Sequence, residues 1–294
     1  MHLTKNEKYA RMVRFVNSDK SNFKNNYNKG VIIVKKSILA LILAVVFVVP
    51  FISFAEDNNP KKIEITGTLS ETYLNAYIGG TPGSIVYDHP VLQSDLEIDL
   101  AIKETVFYLE LWHSYSPNGG ENNDWGDEID YIAGIKKKIG EFSFDVNFSY
   151  FNFADMKNMK GDLYSVNFNA DFPKILEVTP YLTIEGDIPK DKKILEGGVA
   201  YRIGTKYSPK LFGQPIDMDL SIGGHDGAYG TRKEIVSSVR GVLSSTFTFK
   251  TVNITPQISY QKRVGYSVEH GGLTENKFWY GITMSIPFTV YQKK

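Results

Sequence analysis

The 294-residue sequence contains no cysteine, so neither a disulfide framework nor a thiolate metal site can hold the fold. It has no excess of either charge, with 33 Lys and Arg against 33 Asp and Glu. That balance argues against a nucleic-acid binder, which needs clustered bases to neutralise phosphates. Long apolar runs are missing after Ala55. Nothing in the later chain can therefore cross a membrane as a helix, which takes about 20 apolar residues. What remains is a chain that must be held by backbone pairing and side-chain packing.

The one long apolar run lies early. Lys35 and Lys36 precede the stretch Ile38 to Val49, which is followed by Pro50 and by Ser53-Phe54-Ala55. A basic start, a short apolar core and small residues three and one places before a cut predict a secretory signal peptide over residues 35–55, cleaved after Ala55. An anchoring helix is the alternative, because Ser37 to Phe54 approaches the length of a span. Pro50 and the small pair Ser53 and Ala55 favour cleavage. Residues 1–34, rich in Lys and Asn, are expected to be an unstructured polar extension, and a translation start at Val31 or Val34 would give a more ordinary leader. Removing residues 1–55 takes away nine bases and two acids, which leaves 24 bases, 31 acids and a net charge of −7.

From residue 56 to residue 294 the dominant signal is alternation with period two. Phe142, Phe144, Val146, Phe148 and Tyr150 interleave with Ser143, Asp145, Asn147 and Ser149. Leu92, Leu96, Ile98, Leu100 and Ile102 stand against Gln93, Asp95, Glu97 and Asp99, and Phe278 to Phe288 repeats the pattern. Successive strand side chains point to opposite faces, so each such segment has one apolar and one polar wall. Twelve segments qualify, near 63–77, 91–102, 105–115, 128–137, 141–152, 162–171, 178–186, 194–204, 215–224, 235–249, 252–262 and 277–289. Their lengths suit the roughly 9–11 residues a tilted strand needs to cross a bilayer. The first has an ambiguous register, since Glu71 and Asn75 share a face with Ile65, Leu69 and Tyr73. A bulge near Leu69 to Glu71 would resolve it.

The connections alternate long and short, with Lys103-Glu104 and Lys138-Ile139-Gly140 among the short ones and Pro117 to Asp127 among the long. Tyr207 to Gln214 is the exception, a longer connection where a short turn was due. Short periplasmic turns, long outer loops and an even strand count are the habits of outer-membrane barrels. The fold predicted is all-β: a transmembrane, antiparallel up-and-down barrel of about twelve strands, with both termini in the periplasm. A soluble β-sandwich would alternate too. It has no need of aromatics at both ends of the apolar faces, such as Phe142, Tyr150, Phe278 and Phe288, which fit interfacial girdles.

The last strand, Phe278-Trp279-Tyr280-Gly281-Ile282-Thr283-Met284-Ser285-Ile286-Pro287-Phe288, resembles the C-terminal signal by which outer-membrane proteins engage the barrel assembly machinery. In that resemblance Gly281, Met284, Ile286 and Phe288 take the parts of the internal glycine, the spaced apolar residues and the closing aromatic. The tail Thr289 to Lys294 departs from it, because the aromatic usually ends the chain. Over roughly Ile65 to Phe288 the chain also resembles the TorF-type porin family, through Gly126-Asp127-Glu128-Ile129-Asp130-Tyr131 with Gly134, then Phe144-Asp145-Val146 and Ser149-Tyr150. That resemblance implies an outer-membrane, porin-like role and transfers no catalytic residue.

Turning each apolar face to lipid sends a distinctive set inward: Asp95, Glu97 and Asp99, Tyr108, Glu110 and Trp112, Glu128 and Asp130, Asp145, Glu185, Glu196 and Arg202, Asp217 and Asp219, and Arg240. This set holds eleven acids and two bases. A polar lumen is expected of any such barrel, but an excess of carboxylates favours cations. The selectivity candidates are Asp95, Glu97, Asp99, Glu110, Glu128, Asp130, Asp217, Asp219, Arg202 and Arg240. The function expected is passive diffusion of small solutes through an acidic, cation-preferring lumen. Partners would be outer-membrane lipids, the assembly machinery and small solutes, with no nucleic acid and no cofactor.

A packed structural or adhesion barrel is the first alternative. A surface hydrolase or metal site at the outer mouth is the second, with His225 and Asp226 as weak candidates following Asp217, Asp219 and Ser221 on one face. His113 does not suit Ser114 or Ser116, which face the other way. The paired glycines, Gly79-Gly80 among them, read as loop turns and not as a phosphate loop. N-terminal sequencing of the exported protein is expected to return Glu56 as the first residue; a chain that still begins upstream of Lys35 would make residues 35–55 an anchor.

Overall fold

The computed structural model describes residues 63–81, 83–116, 128–153, 162–190, 197–227, 233–264 and 276–293. The polar extension, the signal segment, Glu196 and the Gly126-Asp127 portion of the family motif lie outside the described residues.

Strands follow one another along the chain, rich in the β-branched and aromatic residues that suit a pleated surface. They are β1 (Ile63–Leu74), β2 (Tyr77–Gly79), β3 (Ser84–Tyr87), β4 (Val91–Ile102), β5 (Thr105–Tyr115), β6 (Glu128–Ile139), β7 (Phe142–Phe153), β8 (Leu163–Asp171) and β9 (Val178–Pro189). Then come β10 (Gly198–Tyr207), β11 (Lys210–Leu211), β12 (Gln214–Pro215), β13 (Asp217–His225), β14 (Glu234–Ser244), β15 (Phe247–Phe249), β16 (Val252–Arg263) and β17 (Lys277–Lys293). Among the described residues, twelve long strands join antiparallel, and β17 pairs back with β1 to close the sheet on itself. Closure removes both sheet edges, the requirement for any sheet in lipid.

The faces are sorted as an apolar surround demands. Leu109, Leu111, Phe148, Leu220, Ile282 and Phe288 point outward and are exposed, Leu109 to 66 %. Ser114, Ser149, Ser165, Ser221 and Gln261 point inward and are buried. In a water-soluble protein this distribution would be reversed.

Several expectations are corrected. The first segment ends at Leu74, not residue 77, because the chain leaves the wall at Asn75. That side chain completes the last rung by accepting from Tyr280 N at 2.7 Å, while Asn75 N donates to Tyr280 O at 3.1 Å. The register break lies between Ile65 and Thr66, against β17, and not near Leu69 to Glu71. Glu71 therefore stays on the outer face, directly opposite Ser94, which is in turn opposite His113. A polar neighbour lessens the cost of a carboxylate there. The expected segment 235–249 is two pieces, β14 and the short β15, which forms a hairpin with β16. The long connection after β10 contains its own two-rung ladder, β11 with β12. Phe212 and Gly213 turn it with φ of 52° and 83°, the left-handed pair of a tight hairpin. The tail beyond Phe288 continues β17 to Lys293 past the bulge and pairs with Ile63–Ile65.

Phe288 lies across the closing seam on Gly67, where a Cβ would come within 2.4 Å of its ring. Inside the barrel, Tyr108 lies in the same way on Gly134, also at 2.4 Å. Gly134→Ala is expected to displace the ring and to destabilise the barrel by about 1–3 kcal/mol. Gly241→Ala, where nothing stands within 4 Å, should change stability by less than about 0.5 kcal/mol. Urea unfolding in phospholipid vesicles measures both.

Candidate functional site

The chain between β1 and β4 turns into the barrel as a hairpin and divides the lumen. Its base is apolar: Leu74, Ala76 and Val91 pack with the inward-facing Trp279, and Tyr77, Ile78 and Val86 cover them. Its arms β2 and β3 pair from Tyr77↔Tyr87 to Gly79↔Ser84. Gly83, at φ 80°, closes the tip by donating its N–H to Gly80 O at 3.2 Å.

The hairpin reaches widely separated parts of the wall. Tyr77 Oη donates to Glu128 Oε2 on β6 at 3.2 Å, and its ring stands 5.7 Å from Trp112 on β5. Thr81 N donates to Glu185 Oε2 on β9 at 2.7 Å, and Arg202 Nη2 on β10 donates to Thr81 O at 2.6 Å. Gln261 Nε2 on β16 donates to Gly83 O at 2.8 Å. Lys277 pairs with Asp88 at the rim. Bonds to charged groups are the stronger kind. The two at Thr81 have opposite sign and engage one peptide group each, so they hold the tip in place and in orientation.

The candidate residues fall into groups. Asp95, Glu97 and Asp99 on β4 and Glu110 on β5 share one wall, with Glu97 directly opposite Glu110. Like charges so placed repel, and Lys136 on β6 answers them. Its Nζ lies 2.8 Å from both Glu97 oxygens and 3.9 Å from Asp99 Oδ1. Glu128 and Arg202 are committed to the hairpin, while Asp130 sits deep in the wall. Asp217 lies at the short-turn mouth and accepts from Ser208 Oγ at 2.7 Å. Asp219 accepts from Tyr181 Oη at 3.0 Å, and Arg240 stacks 5.0 Å from the Trp279 ring.

The count of two inward bases is corrected by Lys136 and Lys206, which stand on the same wall as the acids. Lys136 escaped notice because Lys136, Lys137 and Lys138 run together and leave no alternation to read. The hairpin escaped notice for another reason. Its two short β-rich arms about a Gly-containing turn are legible as a hairpin, but nothing in them says that it points inward.

His225 and Asp226 each meet a different partner. Nε2 of His225 faces Glu234 Oε2 at 3.6 Å, with both side chains buried. The Asp226 carboxylate accepts from Val199 N at 2.7 Å. Among the described residues no group of three or more His, Cys, Asp or Glu side chains is placed to hold a metal ion.

Between the hairpin and the short-turn end lies a cavity of about 560 Å³. Lys136, Asp145, Asn169, Thr183 and Arg202, directly opposite one another on successive strands β6 to β10, form one row of its lining. Asn169 bridges this row, donating to Asp145 Oδ2 at 3.5 Å and accepting from Thr183 Oγ1 at 2.8 Å. Such a volume suits a small solute.

No protein-family model matches the chain, and no curated protein matches it. Among solved structures, an outer membrane channel from Pseudomonas putida F1 aligns with a TM-score of 0.50 at 8 % identity, over 80 % of this chain and 98 % of that one. The KdgM porin in complex with disordered oligogalacturonate aligns at 0.42 and 7 % identity, over 77 % and 99 % of the two chains. A NanC porin aligns at 0.44 and 10 % identity, over 75 % and 98 %. The likeness to the first is one of fold: this chain is built as a twelve-stranded barrel of the outer-membrane kind.

The hairpin contacts generate a direct test. The chain has no cysteine, so Thr81→Cys introduces a single thiol at a buried position. Its reaction with a bulky water-soluble maleimide is expected to be slow in the folded barrel. Adding Arg202→Met and Gln261→Met should speed it by about tenfold or more, since two anchoring bonds are lost. Equal rates would mean that the apolar base alone holds the hairpin.

Proposed function

We propose that the chain is an outer-membrane, porin-like channel for passive diffusion of small solutes, cation-preferring and of the TorF type, with the hairpin as its constriction. The observation that carries this reading is the charged lining on one side of the hairpin. Side chains of both signs, half-exposed to the lumen, surround an unfilled cavity of about 560 Å³. A barrel whose interior served only as packing would fill that space with side chains. In the family resemblance, Glu128-Ile129-Asp130-Tyr131 with Gly134 lies on β6 and Phe144-Asp145-Val146 on β7, and Gly134 and Asp145 both meet Tyr108.

The cation preference rests on the wall formed by Asp95, Glu97, Asp99 and Glu110, where Lys136 is the base that answers four acids. Consecutive inward residues on a strand are roughly 6.5–7 Å apart, so their fields overlap within a Debye length of about 8 Å at physiological salt. Orientation by loop length would set the cavity on the periplasmic side and the hairpin toward the exterior. The C-terminal strand, with Gly281, Met284, Ile286 and Phe288, would serve as the assembly signal. Outer-membrane lipids would meet the apolar face that Met284, Ile286 and Phe288 share.

A second reading has an observation of its own. The hairpin touches β5, β6, β9, β10 and β16 at once, as a plug in a structural or adhesive barrel would. Planar-bilayer recording separates the two. The channel reading expects discrete conductance steps, raised about twofold or more when residues 76–89 are replaced by a short turn, because the constriction is gone. Steps that appear only in that deletion would favour the plug.

Selectivity is tested by Asp95→Asn, Glu97→Gln and Asp99→Asn together. The reversal potential in a KCl gradient should shift toward anions, and more so at low salt, where screening lengths grow to about 30 Å at 0.01 M. Lys136→Met should move it the opposite way. No movement in either variant would overturn the cation preference.

A further inference from the structure

Two sets of side chains on the lumen wall repeat one arrangement, four barrel strands apart. In the first, Tyr108 on β5 lies on Gly134 of β6, where a Cβ would come within 2.4 Å of the ring. The Tyr108 hydroxyl donates to Asp145 Oδ1 on β7 at 3.0 Å. Two residues past the glycine, Lys136 Nζ stands 4.2 Å from the centre of the Tyr108 ring and reaches back to Glu97 on β4 at 2.8 Å. In the second, Tyr181 on β9 lies on Gly204 of β10, within 2.6 Å of such a Cβ. Its hydroxyl donates to Asp219 Oδ1 on β13, the next barrel strand, at 3.0 Å. Lys206 Nζ stands 5.0 Å from the Tyr181 ring centre and reaches back to Asp171 on β8 at 2.7 Å. Strand offset and contact agree at all five positions and residue type at four, the fifth being Glu97 in one set and Asp171 in the other.

The glycine–tyrosine packing has a structural use, but the ion pairs have little. The lysine side chains are 37 % and 48 % exposed, and pairs so open to solvent stabilise by roughly 0–1 kcal/mol. Their placement points elsewhere. Lys136, Asp145, Asp171, Tyr181, Lys206 and Asp219 all line the same cavity. In each set a cation rests against a tyrosine ring, an arrangement that aromatic faces and carboxylates offer to ammonium groups generally. With Arg202, which lines the same cavity, the two sets hold four carboxylates to three cations, so one further ammonium group can enter without leaving positive charge unanswered.

We propose that this cavity is a binding site for small solutes bearing primary ammonium groups, held between the Tyr181 ring and the carboxylates Asp145, Asp171 and Asp219, where Lys136 and Lys206 now act as tethered occupants. The site deepens the channel reading and rests on it, since the lumen is the route to the cavity.

The test is calorimetric titration of the full chain, folded in detergent micelles, with putrescine, and with butanediol as its uncharged counterpart. Heat-modifiable migration on a gel establishes that each variant is folded. Putrescine is expected to bind and butanediol not. Asp145→Asn with Asp219→Asn should weaken putrescine binding by about tenfold. Lys136→Met with Lys206→Met should strengthen it by about threefold or more, because removing a tethered competitor frees the ring and both carboxylates. A purely structural role predicts that both double variants weaken binding or leave it alone, and either result overturns the site, as does equal binding of butanediol. Bilayer recording on the same protein keeps the two claims apart. Binding with these signs in a barrel that never conducts sinks the channel and leaves the site; conductance without putrescine binding does the reverse.

Discussion

Pairing of β17 with β1 is the constraint on which everything else in the structure depends. In lipid an unpaired strand edge would leave a row of backbone groups without partners, each costing several kcal/mol. The register from Ile63↔Lys293 to Leu74↔Gly281 closes that edge over the whole length of β1. Phe288 lying on Gly67 secures the seam from the lipid side. Once the sheet is closed, period-two alternation leaves no freedom: every second side chain meets acyl chains and the others share a confined polar space. The acids that make the lumen distinctive are a consequence of that geometry, and so is their need for partners.

That need is met from within the wall and from the hairpin. Glu128 and Glu185, read from sequence as lumen carboxylates, receive the Tyr77 hydroxyl and the Thr81 amide. Arg202 satisfies the carbonyl of the same Thr81. The inward turn of the hairpin and the burial of these charges are thus one feature seen from two sides. Without the hairpin, Glu185 and Arg202 would need water or each other. Without them the hairpin tip would bring unpaired peptide groups into the barrel, which is costly. The apolar base at Ala76, Val91 and Trp279 then supplies the burial that keeps the loop inside.

The parts legible in the sequence are those where alternation is unbroken. Segments 91–102, 105–115 and 252–262 match β4, β5 and β16 to within a residue, and the alternation is strictest in 252–262, where Asn253, Thr255, Gln257, Ser259 and Gln261 share the inward face. Legibility fails where that contrast fails. Leu69, Glu71 and Tyr73 share the outer face, so a polar residue on the lipid side looked like a register break. Lys136 to Lys138 offers no contrast at all, which hid the base that answers Glu97. Lys206 lies beyond the expected end of its strand at residue 204. The hairpin was hidden more deeply, since the direction of a loop is set by what it can pair with across the barrel, from Glu128 to Gln261. Those partners are distant in sequence.

Register turns such distant positions into neighbours, and this is why function in the lumen is carried by rows and not by motifs. Lys136, Asp145, Asn169, Thr183 and Arg202 come from five strands with no common spacing, yet pairing sets them side by side. The same lattice explains how one arrangement can occur twice. A tyrosine that leans on a glycine of the next strand must place its hydroxyl over the strand after that, where Asp145 and Asp219 wait. A lysine two residues past the glycine emerges on the same face and meets the ring. Each set therefore follows from a glycine–tyrosine contact and two correctly placed charges. A lumen built of such units sets an acid and a base beside each tyrosine, so that position in the register, and not spacing along the chain, decides which charges meet.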